Sequence, residues 1–419
     1  MAADLIKQGY DYAKQVYAAR DVDIDAAMNA ADAVPISMHC WQGDDVHGLE
    51  GGGGASGGIA TTGNYPGRSR TGDELRADFE KAVSMIPGAL KISLHMSYAE
   101  LNGKKLDRDA YTIEQFKGWL DWAKANKLGV DFNPTYFSHP LAESGFTLSS
   151  GDRHVREFWI EHGKRSREIA LAFGKALKQP CVVNFWMPDG YKDVPMDTTA
   201  PRERMIAALD EVFKEPMDEK AELDAVESKL FGLGVESYTV GSHELMMGYA
   251  ITRGKLYTLD AGHFHPTEVI SAKLSSVLQY IPAVLLHVSR GVRWDSDHVI
   301  MLDDELQAIM NEIVRGKYTK RVHIGLDYFD ASINRVAAWV IGVRNARKAL
   351  LKAALEPTKV IRDAERKGDY TTRLALLEDN KTLPFPAVWD AYCQRQEVPA
   401  GDEWLAEVKR YEKDVLLKR

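Results

Sequence analysis

Cysteine is scarce in this sequence. Only three residues of 419 are cysteines, Cys40, Cys181 and Cys393, and no two of them form a Cys-x-x-Cys pair. A disulfide framework or a thiolate zinc site needs an even set of cysteines or closer spacings. Neither kind of cysteine-dependent structure is therefore expected here.

A long apolar run is also missing. No stretch approaches the roughly 20 apolar residues that a membrane-spanning helix needs. The N-terminal stretch MAADLIKQGYDYAKQVYAAR mixes both signs of charge in a helical pattern and lacks the apolar core of a signal peptide. We therefore expect a cytoplasmic protein that has no membrane partner.

Positive charge is not in excess either. The chain has 53 Lys and Arg against 61 Asp and Glu, which gives a formal net charge of −8. A nucleic-acid binder usually carries a basic face, so this class of protein is not expected. The hydrophobic fraction of 45% and the charged fraction of 27% are ordinary for a soluble globular protein.

The chain is instead rich in short apolar or β-branched runs that alternate with helix-patterned stretches. Helical spacing is clear in ELRADFEKAVSMI and IEQFKGWLDWAKAN, and Pro266 is placed to begin a helix in PTEVISAKLSSVLQYI. This alternation predicts a closed parallel (β/α)8 TIM barrel. The predicted strands are PISMHCW from Pro35, KISLHM from Lys91, GVDFNP from Gly129, CVVNFW from Cys181, AVESKLFG from Ala225, LYTLDAGHF from Leu256, AVLLHVSR from Ala283 and RVHIGLDYFD from Arg321.

The pattern predicts three parts in the chain. Residues 1–34 form an N-terminal helical segment, 35–356 form the barrel with its site, and 357–419 form a charged C-terminal helical extension suited to subunit contact. The glycine-rich stretch from Gly48 to Gly67 cannot form regular structure cheaply. Because it follows the first strand, we favour a mobile lid over the barrel mouth, with a flexible connection as the alternative.

Most predicted strands carry a polar or ionisable residue near the carboxyl end, where barrel enzymes place their chemistry. Strand ends at a protein surface are often polar without any function. That explanation covers one or two residues but not a set so rich in metal-ligand types. The set is His39, His95, Asn133 and Trp186 on the first four strands, and Glu227, Lys229, Asp260, His263, His287 and Asp327 on the last four.

The late strands concentrate acidic residues. In an extended loop after strand seven, Asp295 and Asp297 would aim their carboxylates in one direction. Counting this pair, five carboxylates and two imidazoles converge on the mouth. Five neighbouring carboxylates cannot all stay ionised without counter-charge, and two divalent cations would balance most of it. Oxygen and imidazole ligands suit Mn²⁺, Mg²⁺ or Co²⁺. An Asp-x-Asp pair alone usually marks a solvated loop, and a Glu-x-Lys pair alone usually forms a surface ion pair. The prediction of a metal site therefore depends on finding these motifs together at the ends of consecutive strands.

The order of these residues is similar to the site of xylose-isomerase-like barrels, and longer segments resemble the L-rhamnose isomerase family over nearly the whole chain. The segments are SMHCWQGDDV, GNYPG, DFNPTYFSHPL, DAVESKLFG, ESYTVGS, LDAGHFHPTEVI, LLHVSRGVRWDSDHV and HIGLDYFDASINR. The resemblance implies an aldose–ketose isomerase that interconverts L-rhamnose and L-rhamnulose with two divalent ions, Mn²⁺ by preference, in a homotetramer.

The resemblance also implies residue roles. Glu227, Asp260, His287 and Asp327 would hold an anchoring metal. His263, Asp295 and Asp297 would hold a catalytic metal, with Asp260 bridging the two ions.

Lys229, His95 and Asp327 are the implied catalytic residues. Lys229 would contact the sugar oxygen O1, and His95 would lie near the ring oxygen or O1. Trp41 and Trp186 would wall the substrate pocket, although both could be core aromatics and His95 a structural residue. We expect His265 to be structural.

Three other functions remain open from the residues alone. A metal-dependent phosphodiesterase or endonuclease would use more histidines and a basic groove. An aldolase would need a desolvated lysine, whereas Lys229 lies among carboxylates. A non-catalytic sugar-binding protein would not need two metals. For the isomerase, a metal-assisted hydride shift is favoured over an enediol proton transfer, because no residue is clearly placed as a carbon base.

Overall fold

The computed structural model describes residues 3–50, 61–230, 237–265, 267–292 and 295–419. Half of the predicted lid, residues 51–60, lies outside these ranges, so the lid stays a prediction. Within the described ranges no helix is long and apolar enough to cross a bilayer.

Eight parallel strands close into a barrel in which each strand pairs with its neighbours along the chain. The prediction of a (β/α)8 barrel is thereby confirmed, and each predicted run overlaps one barrel strand. Two strands begin earlier than predicted, at Leu90 and at Glu222. The strands are β1 (Ile36–His39), β2 (Leu90–His95), β3 (Gly129–Asn133), β4 (Cys181–Trp186), β5 (Glu222–Glu227), β6 (Leu256–Asp260), β7 (Val284–Val288) and β8 (Val322–Leu326). A small antiparallel ribbon pairs Gly190–Tyr191 with Tyr238–Thr239.

The register of the barrel aligns the predicted site residues at one end. Glu227 of β5 pairs with Trp186 of β4, and Asp260 of β6 pairs with His287 of β7. On the other side of the barrel, His95 of β2 pairs with Asn133 of β3. Each of these is at or near the last residue of its strand, so the strand ends form one ring of polar side chains.

Helices follow every barrel strand and cover its outer face. Those before and within the barrel are α1 (Ala3–Ala18), α2 (Ile24–Asp32), α3 (Trp41–Asp44), α4 (Gly72–Val83), α5 (Lys117–Ala125), α6 (Arg153–Leu177), α7 (Thr199–Val212), α8 (His243–Arg253), α9 (Ser271–Val277), α10 (Asp304–Arg315) and α11 (Arg335–Ala354). The two amphipathic patterns from Glu74 and Ile113 are confirmed as α4 and as a 3₁₀ turn that leads into α5.

The helix predicted to begin at Pro266 begins later, so that boundary is wrong. Pro266 itself is outside the described residues, and α9 begins at Ser271. The preceding residues form a turn in which the Glu268 N–H donates to the His265 carbonyl at 2.8 Å. The carboxylate of Glu305 accepts the Ser271 N–H at 3.1 Å, which satisfies an amide at the real helix start.

Four further helices continue the chain after the barrel. They are α12 (Thr358–Arg366), α13 (Tyr370–Asn380), α14 (Phe385–Arg395) and α15 (Glu403–Asp414). Buried Arg344 of α11 donates to the carbonyls of Met85 and Pro399, which ties the extension to the barrel helices. The terminal Arg419 side chain bonds Asp78 of α4 at 2.6 Å. The three predicted segment boundaries stay an interpretation of this continuous packing.

Gly174 sets how closely α6 approaches the start of β5. A Cβ at this position would lie 1.7 Å from the carbonyl oxygen of Ala221, the residue just before β5. Helix and backbone are therefore in direct contact there, and the placement of β5 depends on the absence of a side chain.

We expect Gly174→Ala to lower the free energy of unfolding by about 1–3 kcal/mol, because backbone has to move to admit the methyl group. Gly248→Ala in α8 is the matched control, since its Cβ would meet nothing within 4 Å. That change should stabilise the protein by about 0.4–1 kcal/mol. Urea unfolding of both variants measures the difference, and equal stability of the two would contradict the packing argument.

Candidate metal centre

Two groups of ligand-type side chains meet at the carboxyl ends of β5 to β8. In each group, one ligand atom from every member lies within 4.8 Å of the others. The first group contains Glu227, Asp260, His287 and Asp327, and the second contains Asp260, His263 and Asp295. Asp260 belongs to both groups, as a bridging carboxylate would.

The first group is built around His287. Its Nδ1 lies 3.3 Å from Asp327 Oδ2, 3.5 Å from Glu227 Oε2 and 3.7 Å from Asp260 Oδ2. Glu227, Asp260 and His287 end or nearly end neighbouring strands, and Asp327 follows β8 directly. The barrel register therefore brings together four residues that span a hundred positions of sequence.

The second group depends on the turn after β6. His263 Nδ1 lies 2.8 Å from the Ser228 carbonyl, and in the neutral tautomer that donates this proton Nε2 carries a lone pair. That Nε2 lies 3.6 Å from Asp260 Oδ2 and 3.4 Å from Asp295 Oδ2. Gly262 makes the turn possible, because a Cβ there would lie 2.0 Å from Asp295 Oδ1.

In the first group, each carboxylate uses one oxygen to hold its place. Asn184 donates its amide to Glu227 Oε2, the Gly262 N–H donates to Asp260 Oδ1 at 2.7 Å, and the indole N–H of Trp41 donates to Asp327 Oδ1 at 2.9 Å. The second oxygens of Asp260 and Asp327 face His287 Nδ1. Glu227 instead turns its Oε2 towards His287 and its second oxygen, Oε1, towards His263 Nδ1 at 3.0 Å. A hydrogen bond of this kind orients the carboxylate, and an oxygen lone pair stays available to bind a metal ion.

Four buried atoms at the centre have no hydrogen-bond partner among the described residues. They are Glu227 Oε1, Asp260 Oδ2, His287 Nδ1 and Asp295 Oδ1. Buried polar atoms in native proteins almost always have a partner, so four in one place require an explanation. All four are acceptor or imidazole atoms of the kind that coordinate a divalent cation, so the residues fit such an ion.

The charges at the centre lead to the same conclusion. Burial raises the pKa of Asp260 to about 7, and the carboxylates of Glu227 and Asp327 add to the shift. Burial alone would lower the pKa of His287, but Glu227 and Asp327 outweigh it and hold that pKa well above its usual range. The site therefore has a surplus of negative potential that attracts protons or cations.

Asp297 does not follow the sequence-based expectation. An extended segment would aim the Asp295 and Asp297 carboxylates in one direction, but Asp297 has a left-handed backbone with φ of 45°. Asp295 joins the second group, whereas Asp297 is in neither. Burial and the nearby carboxylates of Asp295 and Asp327 raise the pKa of Asp297 well above its usual range, so it is still close to the centre.

Lys229 also lies at the second group. Its Nζ donates to Asp295 Oδ2 at 2.6 Å and to His263 Nε2 at 3.0 Å. Burial opposes the charged form, but Asp295 and Asp297 raise the pKa of Lys229 above its usual value. These carboxylates favour the ammonium form of Lys229, whereas Schiff-base chemistry needs the neutral amine.

Aromatic rings line the opposite side of the centre. The Trp41 ring lies edge-on to His95 with centroids 4.6 Å apart, and Phe137 lies 5.6 Å from the same imidazole. Trp186 is stacked near His263 at 6.3 Å, with the Lys229 ammonium 5.1 Å from its ring centre. The structure thus places both predicted tryptophans and His95 beside the ligand groups.

Some residues at the site were not in the predicted set. Asn184 holds Glu227, Thr135 Oγ1 lies 2.9 Å from His95 Nδ1, and Phe137 faces Trp186 at 5.5 Å. The polar end of CVVNFW and the NPT turn after β3 are the only signals in the sequence that could have indicated them. His265 is exposed and bonds Thr267, in agreement with a structural role.

His39 is close to the site, and its backbone carbonyl accepts the indole N–H of Trp339 at 2.9 Å. Both of its ring nitrogens are buried without a hydrogen-bond partner among the described residues. Burial lowers the pKa of His39 to about 4, so the ring is neutral.

Fold and site together define a class: a (β/α)8 barrel protein whose strand ends carry a buried carboxylate and imidazole centre suited to divalent metal ions. A family model described as L-rhamnose isomerase matches residues 4–419. The chain belongs to the L-rhamnose isomerase family.

Individual relatives agree with the family model. An L-rhamnose isomerase of Rhodopirellula baltica is 58% identical over 415 residues, which are 99% of this chain and 97% of the relative. One from Escherichia coli is 57% identical over 99% of each chain. A solved L-ribulose 3-epimerase is 15% identical with a TM-score of 0.46, over 79% of this chain and 97% of its own, a likeness too distant to bear on function.

We expect Trp41→Phe to weaken Mn²⁺ binding by about 10- to 100-fold, because it keeps the aromatic wall but loses the N–H that orients Asp327. Calorimetric titration of metal-free protein measures the affinity. Trp122→Phe is the matched control, since its exposed indole donates to Glu80 at 2.7 Å outside the site. Unchanged Mn²⁺ affinity in Trp41→Phe would contradict an orienting role for the indole.

Proposed function

We propose that the chain is an aldose–ketose isomerase that interconverts L-rhamnose and L-rhamnulose at the barrel mouth. The observation that carries the proposal is full-length identity of 57–58% to relatives named L-rhamnose isomerase. The two ligand groups that share Asp260 support it, because the activity needs a site of this composition. Membership of the L-rhamnose isomerase family does not favour the alternative functions of phosphodiesterase, endonuclease or aldolase.

Two divalent ions would be held by these side chains. Glu227, Asp260, His287 and Asp327 would hold the anchoring ion, and His263, Asp295 and Asp297 would hold the catalytic one together with Asp260. Bound there, such ions polarise the sugar carbonyl and stabilise charge on its oxygens. We propose Mn²⁺, with Co²⁺ or Mg²⁺ as alternatives, because the donors are oxygens and imidazoles without thiolate.

The protein side chains position the sugar around these ions. The Lys229 ammonium donates to O1 and stabilises the negative charge that develops there. His95 stays neutral, since burial lowers its pKa to about 3, and contacts the ring oxygen or O1 through a single hydrogen bond. Trp41 and Trp186 form the walls. Asp327 is the catalytic carboxylate, because its side chain is 21% exposed while those of Glu227 and Asp260 are 2% and 1% exposed.

We further propose that hydrogen passes directly between C1 and C2 as a hydride. Each carboxylate described at the centre belongs to a proposed ligand set, and the charges of Asp295 and Asp297 raise the pKa of Lys229 above its usual value. Among the described residues this leaves none assigned as a base for the carbon-bound proton. A direct transfer needs only a held, open-chain sugar and a polarised carbonyl.

Two expectations concern the molecule in the cell. We propose a cytoplasmic homotetramer. Helix α13 supports association with further copies, because it has no buried residue and exposes Tyr370 and Leu374 at 60% and 58%.

The direct test is incubation of the purified protein with L-rhamnose and Mn²⁺, followed by detection of the ketose. We expect turnover, its loss on exhaustive chelation, and its return with Mn²⁺ or Co²⁺, because the buried carboxylates need the cations to hold the sugar. Absence of ketose with metal present would contradict the isomerase function. Full turnover in chelated protein would contradict the metal centre.

Lys229→Met should lower kcat sharply while metal content stays nearly intact, since Lys229 is a donor to O1 and not a ligand. Loss of a donor to developing charge typically costs about 2.7–4 kcal/mol, or about 10²–10³ in rate. Steady-state kinetics and metal analysis measure both effects. Lys273→Met, which removes a lysine paired with Glu268, is the control. A kcat within about twofold of the parent would remove Lys229 from the mechanism.

A further inference from the structure

Thr135 is the polar contact of His95 on the side away from the metal ligands. The Thr135 Oγ1 lies 2.9 Å from His95 Nδ1, and both residues are buried. The Ser97 N–H also reaches this oxygen, at 3.4 Å. Because Nδ1 is engaged, Nε2 is the ring nitrogen left to meet a sugar oxygen.

The backbone of Thr135 is strained to make this contact. Its φ is 59°, in the left-handed region that β-branched residues rarely adopt. Such conformations persist only where the surroundings enforce them, and they concentrate at functional sites. Asparagine or glycine would fit this backbone more easily, so the local turn does not account for a threonine here.

Arg108 enforces the strained turn. Its side chain is 3% exposed and donates to the carbonyls of Thr135 at 2.8 Å, Phe137 at 2.7 Å and Ser138 at 3.1 Å. Glu50 binds the same guanidinium at 2.7 Å. The buried Arg108 guanidinium thus fixes three backbone carbonyls of the turn. It thereby holds Thr135 and Phe137 against the His95 ring.

We propose that Thr135 is a positioning residue for the isomerase, which fixes the orientation of the His95 imidazole so that Nε2 faces the sugar. The inference rests on the proposed function, in which His95 contacts the substrate. Trp41 and Phe137 restrict the ring by edge contacts. Among the described residues, the Thr135 hydroxyl alone distinguishes the two ring nitrogens. Thr135 does not touch the sugar and acts through His95 alone.

The test is a double-mutant cycle between Thr135 and His95. Thr135→Val keeps the branched shape and the strained backbone but removes the hydroxyl, and it should lower kcat/KM by about 10- to 100-fold. In a His95→Asn background the same change should cost less than about twofold, because the ring it orients is absent. Thr135→Ser, which keeps the hydroxyl, should restore most of the activity.

Controls separate positioning from folding. Thr147→Val removes another buried hydroxyl, one that bonds Asp189 at 2.5 Å, and should leave kcat/KM unchanged. Metal content should match among the variants. Thr135→Val and Thr147→Val should lower the melting temperature to a similar degree, because each loses one buried hydroxyl. Thr135→Ala replaces Thr135→Val if the latter does not fold. Equal losses in both His95 backgrounds would overturn the proposal, because Thr135 would then act independently of the imidazole.

A crystal structure of Thr135→Val gives a readout that does not depend on turnover. We expect the His95 ring to rotate or to occupy two orientations. A single unchanged orientation would overturn the inference even in an active enzyme. If the parent protein makes no ketose but the ring still turns, the proposed function fails while the positioning role of Thr135 stands.

Discussion

The structure depends on the cost of burying negative charge at one end of a barrel. Glu227, Asp260 and Asp295 are almost inaccessible to solvent, and their mutual repulsion is opposed by Lys229 and by imidazoles whose pKa values the carboxylates raise. Burying ions is expensive unless they are paired and hydrogen-bonded. A centre of this kind therefore has to be supported by the surrounding fold and balanced by cations.

The support takes one form throughout the first group. A hydrogen-bond donor holds one oxygen of each carboxylate, and in Asp260 and Asp327 the other oxygen faces His287. The donors are the Asn184 amide for Glu227, the Gly262 amide for Asp260 and the Trp41 indole for Asp327. Ligands fixed in this way lose little freedom when an ion binds, which favours binding and restricts its geometry.

The opposite side of the mouth is rigid for a different reason. There the Arg108 guanidinium fixes three backbone carbonyls of one turn. That turn carries Thr135 and Phe137, which contact the His95 imidazole. The positive charge of Arg108 is paired with the carboxylate of Glu50. A neutral, shaped wall facing a charged centre suits a small polyol, whose hydroxyls need ligands on one side and packing on the other.

Local pattern was enough to predict much of this protein. Strand and helix alternation predicts the barrel because side-chain periodicity is local, and the ligand-type residues stand at predictable strand ends. Tertiary structure alone decided the rest. Asp297 has a left-handed backbone and lies outside the ligand group that Asp295 joins. Trp41 reaches Asp327 across 286 positions of sequence. Such contacts depend on barrel closure and loop conformation, which no short window of sequence encodes.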